Sequence, residues 1–381
     1  MVAINKSGST LAEARTVIIK IGSALLVDEK NNRINDSWLA SMAEDIAMLR
    51  TEGKAVVVVS SGAIALGQRG LPFNGTALKL EEKQAAAAAG QVILANAWMT
   101  ALANHDIRTA QILLSPDDTE TRRRHLNARA TIKTLLDLGV VPVVNENDTV
   151  STAEIRYGDN DRLAARVAAM LGADLLVLLS DVDGLYTANP KQTEDAEHIP
   201  EIHSLTAEVM KMAGAANASY ASGGMVTKLE AARIAIKAGC NMVICDGQNL
   251  HPITKLRDGG RNTLFNAAGS PPTARKQWIA GALNPKGRLR IDEGALNALK
   301  QGRSLLPAGV VAVEGRFERG DLIAIENLGG DVIGHGLSAY SAADATIIHG
   351  HKSREIERLL GYRGRDEIVH ADNLVMVDIS A

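Results

Sequence analysis

The sequence predicts an α/β fold, a mostly parallel sheet sandwiched by helices, followed by a small β-rich module. Three observations predict it. Over the first two-thirds of the 381 residues, short β-branched runs alternate with segments of helical periodicity, the order that builds parallel sheets with right-handed crossovers. Hydrophobic residues are 46% but aromatics only 3%, so Val, Ile, Leu and Ala must make the core. That suits buried parallel strands wrapped by Ala-rich helices. At residues 266–274 the pattern changes to NAAGSPPTA, a small-residue and proline stretch typical of a linker. Two domains are expected, 1–266 and 275–381.

The elements follow in order. Residues 16–21 are a short β-branched run, and 36–52 have helical periodicity with Asp36 as N-cap. Residues 54–60 carry Val56 to Val59, the pattern of a strand buried on both faces. A long Ala-rich helix over 81–105 precedes a strand at 107–114. A helix over 122–138 ends at Gly139, and a strand follows at 140–144. Residues 161–171 are helical, 174–179 a strand, 225–238 a helix closed by Gly239, and 242–245 a strand. Beyond the linker, short strands are expected at 287–291, 309–314, 322–326 and 332–337, with helices at 296–301 and 353–360. This reads as a β-barrel-like module of about 100 residues.

Composition excludes several classes. A net charge of -3 exerts no whole-chain pull towards nucleic acid or membrane. Two cysteines, Cys240 and Cys245, make no disulfide framework and lie near no histidine at a zinc spacing, so buried reduced thiols are expected. The apolar run 17–27 is interrupted by Lys20, which argues against a secretory signal. No stretch approaches the roughly 18–20 apolar residues of a membrane span, and a cytoplasmic protein is expected. No G-x-x-x-x-G-K-[ST] occurs, which excludes a P-loop. The string from Gly334 to Ala339, GHGLSA, has no helix after it and reads as a turn and strand rather than a dinucleotide turn.

The candidate site residues sit where strands end, because ligands of such sheets bind outside the carboxyl ends of the strands. Lys20 lies in an otherwise buried run and is followed by Gly22 and Ser23. Ser60, Ser61 and Gly62 end the next strand and open a helix, whose free N–H groups suit an anion. Taken singly, each is equally a tight βα turn. Asn145, Glu146, Asn147 and Asp148 follow the strand 140–144, four polar residues able to grip an ammonium and a carboxylate. Gly158, Asp159, Asn160 and Asp161 precede a helix, and capping explains one carboxylate but not the string. Ser180 and Asp181 open a strand-end loop suited to adenine and ribose. Ser222, Gly223, Gly224, Met225, Val226, Thr227 and Lys228 place two glycines before a helix and a lysine in its first turn.

In this order and spacing, VIIKIGS, SSGAIALG, NENDTV, YGDNDRLAA, LLSDVDGLY and SGGMVTKLEAA resemble the amino-acid kinase family, and most closely its glutamate-phosphorylating branch. The resemblance covers essentially the whole chain, since the tail, with GHKSREIERLLGY and a short strand, is similar to a PUA domain. It implies ATP-dependent phosphorylation of the side-chain carboxylate of L-glutamate, the first step of proline biosynthesis. It implies that Lys20 and Lys228 hold the transferring phosphoryl group and that Asp161 orients them. Ser61, Asp148 and Asn160 would bind the amino acid, supported by Asn145 and Asn147. Gly22, Ser180, Asp181 and the 222–228 turn would contact ATP. Ala24 and Ala164 depart from the hydroxyl residues many members carry there. The resemblance further implies a homo-oligomer, feedback inhibition by proline, and a reductase that consumes the product.

A carboxylate oxygen is already a nucleophile, so such a reaction needs positioning and charge neutralisation rather than a base. Mg²⁺ is expected to bind through the ATP phosphates and water, with no dedicated protein ligands. The rival substrates are aspartate, N-acetylglutamate and carbamate. A rival class is an RNA-binding or RNA-modification protein, because PUA domains occur in such proteins. Residues 275–381 carry fourteen acidic and fourteen basic side chains, so no electrostatic footprint supports that class.

Overall fold

The computed structural model describes residues 6–28, 33–73, 78–150, 160–190, 192–212, 224–274 and 285–377. The chain divides into two compact units, Met1–Pro271 and Pro272–Ala381.

The first unit is built on eight strands: β1 (Thr16–Ile21), β2 (Ala55–Ser60), β3 (Thr109–Leu114), β4 (Val141–Glu146), β5 (Leu175–Ser180), β6 (Glu201–Ile202), β7 (Asn241–Asp246) and β8 (Asn262–Phe265). Their order across the sheet is β6-β8-β7-β5-β1-β2-β4-β3. All neighbouring pairs are parallel except β7 with β8. β1 is central, with Lys20 opposite Val59 on one side and Leu178 on the other. Its sequence TVIIKI has no polar face because helices cover the sheet on both sides.

Alternation along the strands separates two cores. Val17, Ile19 and Ile21 pack with Trp38, Met42 and Ile46 of helix α2 (Asp36–Thr51). Ile18 packs on the other face with Ala164, Val167 and Ala168 of helix α6 (Asn160–Leu171), which follows α5 (Arg122–Asp137) in the chain. The α2 cap differs from expectation. The N-cap is Asn35, whose Oδ1 accepts from the Trp38 N–H at 3.3 Å, and Asp36 falls in the first turn. Several strands reach further towards the carboxyl edge than their apolar runs suggest. β4 takes in Asn145 and Glu146, and β5 takes in Ser180. Helix α1 (Lys6–Glu13) and strand β8 were not foreseen. Cys240 and Cys245 are buried free thiols, each pushed up by burial.

Helices α3 (Ala63–Gln68) and α4 (Leu80–Ala103) meet at backbone distance. A Cβ on Gly90 would lie 1.7 Å from the Ala63 carbonyl oxygen, and one on Gly67 would lie 1.8 Å from that of Ala86. By length and composition α4 is long and apolar enough to cross a membrane, which corrects the expectation that no stretch approaches that length. Its Ala86, Gly90, Leu94, Trp98 and Leu102 are buried in this unit. The Trp98 indole N–H donates to Ser60 Oγ at 3.0 Å.

The second unit carries a five-stranded sheet rather than alternating crossovers: β9 (Gly287–Ile291), β10 (Val310–Gly315), β11 (Leu322–Glu326), β12 (Val332–Leu337) and β13 (Leu374–Met376). The order is β10-β9-β11-β12-β13, with β9 and β11 parallel and the other pairs antiparallel. The glycines of GHGLSA lie inside β12, where a Cβ on Gly334 would come 2.7 Å from the Val375 carbonyl oxygen. They serve close strand approach, and the helix Ala342–Ile348 that follows corrects the expectation of none after this string.

The α3–α4 crossing generates a stability prediction. Gly90→Ala forces two backbones apart and should destabilise the first unit by roughly 1–3 kcal/mol or more, read from urea unfolding midpoints. An unchanged midpoint would show that the crossing tolerates a methyl group.

Candidate active site

Lys20 is the penultimate residue of β1, so a long side chain leaves the middle of the sheet near its carboxyl edge. It is buried, and a buried ammonium needs a partner. Helix α6 (Asn160–Leu171) supplies one from its first turn, where the helix dipole favours a carboxylate. Asp161 is fully buried, and its Oδ1 lies 2.5 Å from Lys20 Nζ. Its Oδ2 lies 3.2 Å from the Nζ of Lys228, in the first turn of helix α7 (Met225–Lys237). The Thr227 hydroxyl is 2.9 Å from the same oxygen and 2.8 Å from the Gly224 carbonyl. One carboxylate therefore aligns two ammonium groups drawn from two separate elements.

Burial alone would raise the Asp161 carboxyl, but the two lysine charges hold it below the ordinary carboxylate range. Burial lowers the Lys20 ammonium, and Lys228 adds to that against the attraction of Asp161. One residue further along, Arg162 Nε donates to Glu230 Oε2 at 2.6 Å, which ties α6 to α7. Gly22 follows β1 directly, and a Cβ built there would stand 3.8 Å from Lys20 Nζ. Ser180 ends β5, with its hydroxyl 3.1 Å from Asp181 Oδ1. Gly224 is the N-cap of α7, with Met225, Val226 and Thr227 in the first turn. Ser222 and Gly223 lie outside the described residues, as do Gly158 and Asp159.

A second polar group is wholly amide and hydroxyl. Asn160 Nδ2 donates to Ser61 Oγ at 2.6 Å and to Asn145 Oδ1 at 3.0 Å. Asn145 Nδ2 donates to Gln91 Oε1 at 2.8 Å. Sequence reasoning missed Gln91; its signal was one glutamine inside the apolar stretch AAAAAGQVILA. Asn147 accepts from the Thr149 hydroxyl at 2.5 Å, a local turn contact. Ala164 is fully buried in the second core, and Ala24 is exposed.

Asp148 opens a 3₁₀ turn beside this group, and burial pushes its carboxyl up to about 6. A carboxyl raised on folding keeps its proton in the native chain where the unfolded chain has lost it. The contribution of Asp148 to stability should therefore fall as pH rises from about 4 to about 6, the reverse of a salt-bridged carboxylate. Asp148→Asn should flatten that part of the curve and stabilise the protein above this range, measured as urea midpoints across pH. Identical slopes in the two proteins would contradict this placement of Asp148.

The family model described as amino acid kinase family matches residues 15–246, and the PUA domain model matches residues 287–360. The chain is 58% identical to a glutamate 5-kinase of Paramagnetospirillum magneticum, an alignment spanning 97% of this chain and 99% of that protein. It is 56% identical to the glutamate 5-kinase of Gluconobacter oxydans, over 97% and 98%. For that of Rhodospirillum rubrum the identity is 55%, over 94% and 96%. With the kinase model covering more than half of its length and such relatives aligned nearly end to end, the chain belongs to the amino acid kinase family.

Proposed function

We propose that this chain transfers the γ-phosphoryl group of ATP to the side-chain carboxylate of L-glutamate, giving L-glutamyl 5-phosphate, the first step of proline biosynthesis. One observation carries the reading. Two buried ammonium groups share a single carboxylate beside a neutral amide and hydroxyl cluster, with no His or Cys in the group among the described residues. A buried site with more positive than negative charge suits an incoming anion. The full-length likeness to glutamate 5-kinases supports glutamate as that anion's acceptor.

In the proposed reaction a glutamate carboxylate oxygen bonds the γ-phosphorus as the bond to the β-phosphate oxygen breaks. The acceptor carries no proton to remove, so no base is required. Lys20 and Lys228 neutralise charge on the transferring group, and Asp161 keeps both ammonium groups aimed. Ser61, Asn160 and Asp148 hold the amino acid, with Asn145 and Asn147 behind them. Asp148 is the natural partner of the substrate ammonium, which N-acetylglutamate lacks. Gly22, Ser180, Asp181 and the 222–228 turn take the nucleotide. Asp161 is engaged by both lysines and by Thr227, so Mg²⁺ entering with ATP would be carried by the nucleotide rather than by this carboxylate, and would supply charge neutralisation. All of these residues precede Pro271, so the chemistry is assigned to the first unit. A homo-oligomer and a reductase that takes the acyl phosphate complete the reading. Proline, with an α-carboxylate and a charged amine, is the expected competitor.

The test is hydroxylamine trapping of acyl phosphate from MgATP. L-Glutamate should turn over far faster than L-aspartate or N-acetylglutamate, and added proline should raise the glutamate KM. Lys20→Ala and Lys228→Ala should each lower kcat by about 10²–10³-fold. Equal turnover of N-acetylglutamate would overturn the substrate, and undiminished kcat without either lysine would overturn the mechanism.

A further inference from the structure

Gln91 is buried on the apolar face of α4, among Ala86, Gly90, Leu94 and Trp98, where packing alone would select an aliphatic side chain. Its Oε1 accepts from Asn145, yet its Nε2 is buried with no hydrogen-bond partner among the described residues. A half-satisfied buried amide is unfavourable, so a structural role is a poor account of it.

Its position in the chain of hydrogen bonds gives a better one. The relay runs from Gln91 on α4, through Asn145 at the end of β4, to Asn160 at the start of α6, and on to Ser61 after β2. Each link has a direction. The Glu146 backbone N–H can only donate, so its 2.9 Å bond fixes Asn145 Oδ1 on the side that also faces Asn160, and Gln91 Oε1 accepts from the Asn145 amide on the other side. Asn160 is thereby obliged to turn its Nδ2 towards Asn145 and Ser61. Two consequences follow at the far end. Asn160 Oδ1 is left as a buried acceptor without a partner among the described residues. Ser61 Oγ accepts from Asn160, so its own O–H is available to donate. Were Asn145 reversed, two amide donors would confront each other and the pattern would invert.

Resting on the function proposed above, we propose that Gln91 is a positioning residue that braces Asn145 in this orientation and so maintains the polarity of the amino-acid subsite. It fixes one acceptor for an ammonium and one hydroxyl donor for a carboxylate, the complement of a zwitterionic amino acid. It touches no substrate itself.

Gln91→Met and Gln91→Glu in the full chain separate the possibilities. Methionine keeps the length and removes the acceptor, and should raise the glutamate KM about tenfold or more while the ATP KM and kcat hold within about threefold. Glutamate at this position keeps an acceptor oxygen for Asn145 and should recover most of the loss. A glutamate KM unchanged in Gln91→Met, a loss spread evenly over both substrates, or no recovery with Gln91→Glu would overturn the inference. A second readout is independent of the substrate. In ¹⁵N spectra of the ligand-free protein, the Asn145 and Asn160 side-chain NH₂ signals should move in Gln91→Met while the backbone pattern persists. Unmoved signals would also overturn it. Wild-type protein inactive on glutamate, with moved signals, would sink the substrate reading and leave the relay standing.

Discussion

The site depends on one buried carboxylate. Asp161 is reached by Lys20 from the central strand and by Lys228 from α7, and without it two ammonium groups would face each other in a desolvated space. Burial lowers the Lys20 ammonium, and the Asp161 counter-charge opposes that. The parallel sheet makes this economical. It brings the carboxyl ends of β1, β2, β4 and β5 to one edge, so short loops and helix starts deliver every polar group to the same place.

The two polar groups at that edge differ in kind. The Lys20–Asp161–Lys228 group is ionic, and its strength comes from charges held in low dielectric. The Gln91–Asn145–Asn160–Ser61 group is neutral and works by direction, each amide set by the one before. They are joined at the start of α6, where Asn160 and Asp161 are consecutive. A shift of that helix would disturb both groups at once. The Arg162–Glu230 pair and the capping of the Asp161 oxygen by Thr227 hold α6 and α7 together at that point.

Much of this was legible in the sequence because polar residues stood out from apolar runs. Lys20 in VIIKIGS and the NEND string interrupt patterns that only a ligand or a partner would tolerate. What was not legible depends on tertiary contacts. Asn35 rather than Asp36 caps α2, a choice decided by which side chain reaches the Trp38 N–H. Four-residue β8 joins the sheet antiparallel, beyond the reach of local periodicity. Gly90 reads as a poor helix residue until α3 is seen against it. Gln91 reads as an exposed position until the buried face of α4 is known. The apolar length of α4 likewise reflects burial within the first unit on one face, a property that composition cannot assign.

The central claim, that Asp161 aligns two lysines for charge neutralisation, is tested most directly by the steady-state kinetics of Asp161→Asn with MgATP and L-glutamate. The variant keeps the shape of the side chain and removes its charge. The expected kcat is lower by about 10²-fold or more, with both KM values changed far less and the fold intact by circular dichroism. A folded variant with a kcat within about threefold of wild type would contradict it.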